Sequence, residues 1–201
     1  MSRNLSGSSG SRGSPGSSGP SPLDLTSTWG VDAHRNPGIG RFRRQLDAEA
    51  WANDLVLQSL ATIPESGRAS PCFARAMQLL PHIQLARGVW LSRLKGEKYD
   101  MPAEWFPPLA LDETRAACDA QDSVWRSYLD SLKDEKLPTV CRFASSDGTV
   151  YTATVEDILI HVFNHSTYHR GQIARLVAEC GGQRAGTDYI AFGRRAEEPQ
   201  G

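Results

Sequence analysis

The stretch TVEDILIHVFNHSTYHRGQIARLVAECGG, residues 154–182, constrains the fold most, because it has the signals of one long helix. Thr154, followed three residues later by Asp157, resembles a capping box with Asp in place of Glu. Gly181 suits the position just past a helix end. We therefore predict a helix over about 155–180, which must bury its apolar side against other elements.

Two other segments have apolar residues at helical spacing. One covers about 38–62 and is closed by Pro64. The other covers about 109–133. The inward positions predicted for these two helices are Phe42, Leu46, Ala50, Trp51, Leu55, Leu60, Leu111, Cys118, Val124, Trp125, Tyr128, Leu129 and Leu132.

A further helix is predicted between these two segments. Ser70 can cap its start and Pro71 suits its first position. Lys95 and Gly96 suit its end. Pro81 lies inside it and predicts a kink, because proline has no backbone N–H to donate.

The segments TVCRF and TVYTA flank ASSDG, in which Asp147 and Gly148 form a turn signal, so a short hairpin is predicted. Four long helices with this insert indicate an all-α fold, a four-helix bundle with a small β-hairpin before the last long helix. We predict a disordered Ser/Gly/Pro-rich arm over 1–30, a folded domain over 31–193 and a flexible tail over 194–201.

Composition excludes several classes of partner. The 22 basic and 23 acidic residues leave a net charge of −1, so neither nucleic acid nor an anionic membrane is expected as a partner. No apolar run is long enough for a transmembrane helix, and the first residues lack a signal-peptide core. The four cysteines form no CxxC pair, so we expect a reducing cytoplasm and no disulfide framework, although their spacing leaves a single bridge open.

Three of the five histidines, His161, His165 and His169, follow one another at intervals of four. Residues four apart share a helix face about 6 Å apart along the axis, and residues eight apart are separated by about 12 Å. Metal–nitrogen bonds are only about 2.0–2.1 Å long. One ion could therefore use His161 with His165, or His165 with His169, but not the two outer residues together.

Any further ligand must come from another helix. His82 lies among apolar residues midway along the second helix, and His34 beside the N-terminal arm is a weaker candidate. Two histidines of the last helix with His82 would leave coordination positions open, as in catalytic sites. The alternative is a set of hydrogen-bonded core histidines, and spacing alone does not decide between the two.

Four stretches resemble the DinB/YfiT-like superfamily of four-helix bundles, and the resemblance covers roughly residues 40–193. HVFNHSTYHRGQIARL resembles the H-x3-HRGQ signature of the last long helix. The weaker matches are WAND at 51–54, LLPHIQLARGVWLSRL at 79–94 and TDYIAF at 187–192. The resemblance agrees with the fold predicted from helical periodicity.

Carried over to this sequence, the resemblance implies metal ligands at His82, His165 and His169. His161 then becomes an outer neighbour one turn from the site. His161 and Gln172 are candidates for supporting contacts to the three ligands. No catalytic residue is assigned beyond the metal site.

Other residues near these positions have simpler interpretations. Arg170 is predicted to form an ion pair with an acid on a neighbouring helix, and Gly171 to permit a close helix approach. Trp105 and Phe106 are candidates for either a lid over a pocket or a plug in the core. Pro81 stands where the superfamily more usually has a helix-forming residue. A kink there would change the direction in which the His82 side chain points.

The resemblance implies a metal-dependent enzyme with one divalent transition-metal ion, Zn or Ni. The main expectation is S-transfer from a low-molecular-weight thiol, such as bacillithiol, mycothiol or glutathione, to a small electrophilic substrate. The alternatives are a metal-dependent hydrolase, a non-enzymatic metal-stabilised stress-response or regulatory module, and a bundle that has kept its ligands without activity. The resemblance also implies a homodimer.

Overall fold

The computed structural model of the protein describes residues 38–99, 101–145 and 147–194. The predicted arm over 1–30, His34 and the last seven residues of the predicted tail lie outside this part. The helices are α1 (Ile39–Ala61), α2 (Glu65–Arg68), α3 (Pro71–Lys95), α4 (Leu111–Ser131), α5 (Val155–Glu179) and α6 (Tyr189–Gly193). The strands β1 (Val140–Ala144) and β2 (Val150–Thr154) form an antiparallel hairpin before α5. The predicted all-α bundle with a hairpin insert is confirmed.

The predicted helix ends are found where the capping residues stand. The Ser70 hydroxyl accepts a hydrogen bond from the backbone N–H of Phe73 at the start of α3. Thr154 and Asp157 form the reciprocal capping box at the start of α5. Gly181 follows α5 with a φ of 80°, a conformation that glycine adopts without steric cost. These local signals fix where the two site-bearing helices begin and end.

The long helices α1, α3, α4 and α5 pack as a ring in which α3 lies against α4 and α5. The contacts of α3 and α5 run in opposite senses. Cys72, near the start of α3, is bonded to Cys180, just after α5. Trp90, near the end of α3, lies against His161, early in α5. The two helices are therefore antiparallel, and their middle sections face each other.

The interior has two apolar clusters with polar side chains between them. One cluster is built around Leu60, Leu80 and Val177, and the other around Leu46, Trp125 and Leu159. The buried polar side chains that lie between the clusters along the long helices are Glu49, Asn53, Gln84, Arg87, Ser166 and Arg170. Because buried polar groups are costly unless they are paired, this middle layer is where special interactions are expected.

Two sequence predictions about packing are wrong. Val124 is 42 % exposed, whereas Trp125 beside it is 1 % exposed, because a helical step of about 100° turns neighbouring side chains to different faces. A Cβ added at Gly171 would meet nothing within 4 Å, so this glycine does not serve a close helix approach. The other inward positions predicted for α1 and α4 are buried or half-buried.

The structure forms one disulfide, between Cys72 and Cys180, whose Cα atoms are 6.5 Å apart. Cys118 and Cys141 are free. The spacing of the cysteines in the sequence did not exclude a single disulfide. This one joins the start of α3 to the end of α5. It also removes one support for the predicted reducing compartment, where disulfides are rare. None of the described helices combines the length and apolarity needed to cross a bilayer.

Candidate metal centre

Three histidines from two helices meet in the middle of the bundle. His82 comes from α3, while His165 and His169 come from consecutive turns of α5. Each offers a ring nitrogen, and these atoms all lie within 4.8 Å of one another. The ring centroids are 4.4 Å apart for His165 and His169, and 4.7 Å apart for His82 and His169. The structure thus brings together the three residues that the sequence analysis selected, and this group could hold a metal ion.

Hydrogen bonds at Nδ1 fix the tautomers of two of these rings. The Nδ1–H of His82 donates to the backbone carbonyl of Trp105 at 2.9 Å. The Nδ1–H of His169 donates to Oε1 of Gln172, also at 2.9 Å. A neutral imidazole carries one proton, so each of these rings presents a lone pair at Nε2. Metal-ligating histidines almost always donate their other N–H in this way.

The spacing of the α5 pair suits a shared ion. Nε2 of His165 lies 3.2 Å from Nε2 of His169. Two nitrogen ligands at about 2.05 Å from a tetrahedral ion would be separated by about 3.3 Å. A proton on the Nε2 of His165 would bridge the same gap as a hydrogen bond. The donor set and its spacing fit a divalent ion bound by neutral imidazoles.

The surroundings favour the neutral form of all three imidazoles. The pKa of His165 is lowered to about 4, mainly by burial and in addition by the charges that His169, His82 and His161 would carry when protonated. Burial also lowers the pKa of His82, although the hydrogen bond to Trp105 opposes this shift. The pKa of His169 is lowered by burial too, against the opposing bond to Gln172. Near neutral pH the three imidazoles are therefore uncharged, as metal ligands must be.

Aromatic residues of the loop before α4 cover one side of the cluster. Phe106 stacks on His82 with the ring centroids 4.2 Å apart, and the guanidinium of Arg75 lies 3.9 Å from the Phe106 ring centre. Trp105 approaches His82 with its edge. Phe106 therefore packs against the imidazole of His82, whereas Trp105 contacts His82 and also lines an open cleft.

A cleft of about 220 Å³ opens beside the histidines. Two of the three, His82 and His165, line it, so space adjoins the point where their nitrogens converge. Its other walls include Trp90, Arg93, Met101, Trp105 and Ser145. A small molecule can therefore reach the histidine cluster from one side.

The two residues predicted to support the ligands lie in different settings. Gln172 holds the ring of His169, as described above. His161 is exposed, and its ring lies 4.9 Å from that of Trp90 and 5.7 Å from that of His165. The part of its ring that packs against Trp90 is shielded from water, and this partial burial and the charge of Arg93 lower the pKa of His161. His161 is outside the group of three whose nitrogens converge.

Sequence reasoning missed one functional atom, the carbonyl oxygen of Trp105. It identified the Trp105 side chain as a lid candidate and gave no role to its backbone. Every residue carries such a carbonyl, so no residue type signals which one will accept the His82 proton. Only the path of the loop between α3 and α4 determines this contact.

The ion pair predicted for Arg170 is present. Its guanidinium donates two hydrogen bonds to the carboxylate of Glu49 on α1, at 2.9 and 2.7 Å, and a third to the hydroxyl of Thr167. The side chains of Arg170 and Glu49 are 3 % and 0 % exposed. This bridge belongs to the bundle's interior, on the side of α5 away from α3.

A family model and two similar proteins match this chain, and the family model supports the resemblance. The model of the DinB family matches residues 43–200. Protein DinB of Bacillus subtilis (strain 168) is 23% identical over 147 residues, which cover 69% of this chain and 86% of that protein. A DinB-like protein from Bacillus cereus, known from a crystal structure, is 20% identical and covers 71% of this chain and 94% of its own, with a TM-score of 0.48.

Proposed function

This chain belongs to the DinB family, and from its histidine cluster we propose that it binds one divalent transition-metal ion through His82, His165 and His169. The observation that carries the proposal is the convergence of their ring nitrogens within 4.8 Å. The rings of His82 and His169 already donate their Nδ1–H groups to Trp105 and Gln172. The Nε2 lone pairs of His82 and His169 remain, and they can be shared only with a proton or a cation.

We propose further that the site is catalytic. Three protein ligands leave coordination positions for other molecules, which is the pattern of catalytic rather than structural sites. The cleft of about 220 Å³ supplies the space for such a molecule beside His82 and His165. When bound, the ion would lower the pKa of a thiol or water and supply an anionic nucleophile near neutral pH.

The reaction we favour is S-transfer from a low-molecular-weight thiol to a small electrophile. The residues of this chain hold the site ready for it. Gln172 and the Trp105 carbonyl fix two imidazole rings, and Phe106 shields the face of His82 from water. The lowered pKa values of the three histidines favour the neutral imidazoles that metal binding requires. Zn and Ni both suit imidazole ligands.

Metal analysis of the purified full-length protein tests the first part. We expect about one ion per chain, and loss of that ion in His82→Ala, His165→Ala and His169→Ala. His161→Ala, one turn away on the same helix, is the matched control and should keep the ion. Full metal occupancy in His165→Ala would contradict the assignment.

A thiol-consumption assay across small electrophiles tests the second part. The metal-loaded protein should consume thiol faster than the three histidine variants do. Turnover of ester or amide substrates without thiol would instead support a hydrolase at the same site. A protein that holds its ion tightly but turns over neither class would support the non-enzymatic module.

A further inference from the structure

Arg93 places a fixed cation in the wall of the cleft beside the histidines. Its guanidinium carbon lies 4.5 Å from the ring centre of Trp90 and 4.9 Å from that of Phe143. Nη2 donates a hydrogen bond to the carbonyl of Ala144 at 3.0 Å. The aromatic rings and the hairpin thus hold the guanidinium in one orientation, and Arg93 lines the same cleft as His82 and His165.

This cation has no carboxylate partner among the described residues, and none of those lining the cleft is acidic. The buried arginines behave differently, since Arg87 pairs with Asp122 and Arg170 pairs with Glu49. Arg93 is half-buried, so its charge is partly removed from water, and this burial lowers the pKa of its guanidinium. A partly desolvated cation gains most from an anion that enters the cleft.

The rest of the site adds positive charge. Three neutral imidazoles contribute no negative charge, so an ion bound to them would keep its full double positive charge. Arg75, stacked on Phe106, adds a second guanidinium on the far side of the ring that packs against His82. The electrostatic field of the cleft therefore selects for anionic molecules.

We propose that Arg93 is an anion-binding residue of this cleft, and that the small molecule handled here carries a carboxylate remote from its reactive group. The proposal rests on the function proposed above. Arg93 follows His82 by eleven residues, which is about 16 Å along a helix axis. The arginine side chain leans back toward the start of α3 and shortens this span. The molecule is therefore elongated, with its carboxylate at Arg93 and its thiol at the histidines.

The arginine fork suits this role better than a lysine would. A guanidinium presents several N–H donors in one plane and binds a carboxylate through two parallel hydrogen bonds. The bond to Ala144 uses one donor of Nη2 and leaves others free. The Trp90 and Phe143 ring centroids are only 5.1 Å apart, so the guanidinium packs against this aromatic pair and not between the two rings.

The test compares two thiols of equal length, 6-mercaptohexanoate and 6-mercaptohexanol. Binding to the zinc-loaded full-length protein is measured by isothermal titration calorimetry. The wild-type protein should bind the carboxylate thiol about tenfold more tightly, as expected for one charged hydrogen-bonded contact at a partly exposed site. Arg93→Gln should remove most of this preference, because only the longer-range charges of the ion and Arg75 remain, and should leave the affinity for the alcohol unchanged.

Two variants control for general effects. Arg44→Gln removes an arginine that also lies over an aromatic ring, that of Phe192, and bonds the Tyr189 hydroxyl away from the cleft. It should keep the full preference for the carboxylate thiol. Arg93→Lys retains the charge without the fork and should keep part of the preference.

The outcomes separate this inference from the proposed function. Equal binding of both thiols by the wild type, or an equal loss of both in Arg93→Gln, overturns the role of Arg93 and leaves the metal site standing. Failure of both thiols to bind the zinc-loaded protein overturns the thiol-activating function and the inference with it. If Arg93→Gln does not fold, Arg93→Lys decides, and a preference there as large as in the wild type overturns the role of the fork.

Discussion

His169 and Arg170 are adjacent on α5 and put their side chains to opposite uses. His169 turns toward α3, where its ring centroid lies 4.7 Å from that of His82, and its Nε2 lies 3.2 Å from Nε2 of His165 on its own helix. Arg170 turns toward α1, where Glu49 accepts two of its hydrogen bonds. One side chain is matched by a partner of opposite charge within the protein. The other joins His82 and His165 in a group whose ring nitrogens lie within 4.8 Å of one another.

The difference shows how a polar interior divides between stability and function. A buried charge is tolerated only with a well-oriented partner, because desolvation costs several kcal/mol per ion. The Arg170–Glu49 pair meets this condition. The histidine cluster has no such internal partner. Ring-nitrogen lone pairs that face each other repel unless they share a proton or a cation. The bridge is therefore expected to stabilise the apo protein, and the histidines to bind a ligand.

The largest expected effect on stability comes from breaking the bridge. Glu49→Ala leaves the guanidinium of Arg170 buried without a counterion, and should lower the free energy of unfolding by about 3–5 kcal/mol. Urea denaturation of the full-length protein, followed by circular dichroism, measures this loss. The variant that still folds should keep its metal, because no histidine contact involves Glu49.

Asp47 is the matched control on the same helix. It pairs with Arg126 at 2.8 Å, but the two side chains are 49% and 51% exposed. Asp47→Ala should therefore cost only about 0–1 kcal/mol. Equal losses of unfolding free energy in Glu49→Ala and Asp47→Ala would show that burial does not make the Arg170–Glu49 bridge more important to stability than the exposed Asp47–Arg126 pair.

Much of this arrangement is predictable from sequence, because its signals are local. The caps at Ser70 and Thr154 fix the starts of α3 and α5 through hydrogen bonds within one turn. Intervals of four place His165 and His169 on one face. The choice of this pair over His161 with His165 came from the family resemblance, since spacing left both open.

The contacts that sequence could not give are between distant segments. Cys72 and Cys180 are 108 residues apart, and four cysteines allow several pairings. The Trp105 carbonyl reaches His82 only because the loop before α4 folds back over α3. Val124 was misplaced because the neighbouring Trp125 occupies the inward face of α4. Each case depends on how the helices pack, which local patterns do not specify.

The second prediction uses pH to probe the histidine side of the comparison. The pKa of His165 falls from its usual 6.5 to about 4 on folding. Between pH 6.5 and 4, the unfolded chain therefore binds a proton at this residue and the folded chain does not. Stability of the chelator-treated protein should therefore fall as the pH is lowered from about 6.5 toward 4. His165→Ala should show a shallower fall over the same range. An equally steep fall in that variant would place the titrating group elsewhere.

The third prediction concerns the hydrogen bond that orients His169. Gln172→Ala removes the acceptor of its Nδ1–H, so metal affinity should drop about 10–100-fold while the fold is kept. Competition with a chromogenic chelator measures the affinity. Gln58→Ala, at an exposed position of α1, is the control and should leave the affinity unchanged. Equal affinity in the wild type and Gln172→Ala would mean that the ring is held by packing alone.

The smallest effect is expected at His161, the third histidine of the α5 series. Its ring is exposed and lies against Trp90, so His161→Ala should cost less than about 1 kcal/mol of stability. Its metal content should equal that of the wild type, because the converging nitrogens belong to His82, His165 and His169. Loss of the ion in His161→Ala with retention in His169→Ala would instead select the other pair that the spacing allows. The two alanine variants, one turn on either side of His165, therefore decide which of its neighbours completes the site.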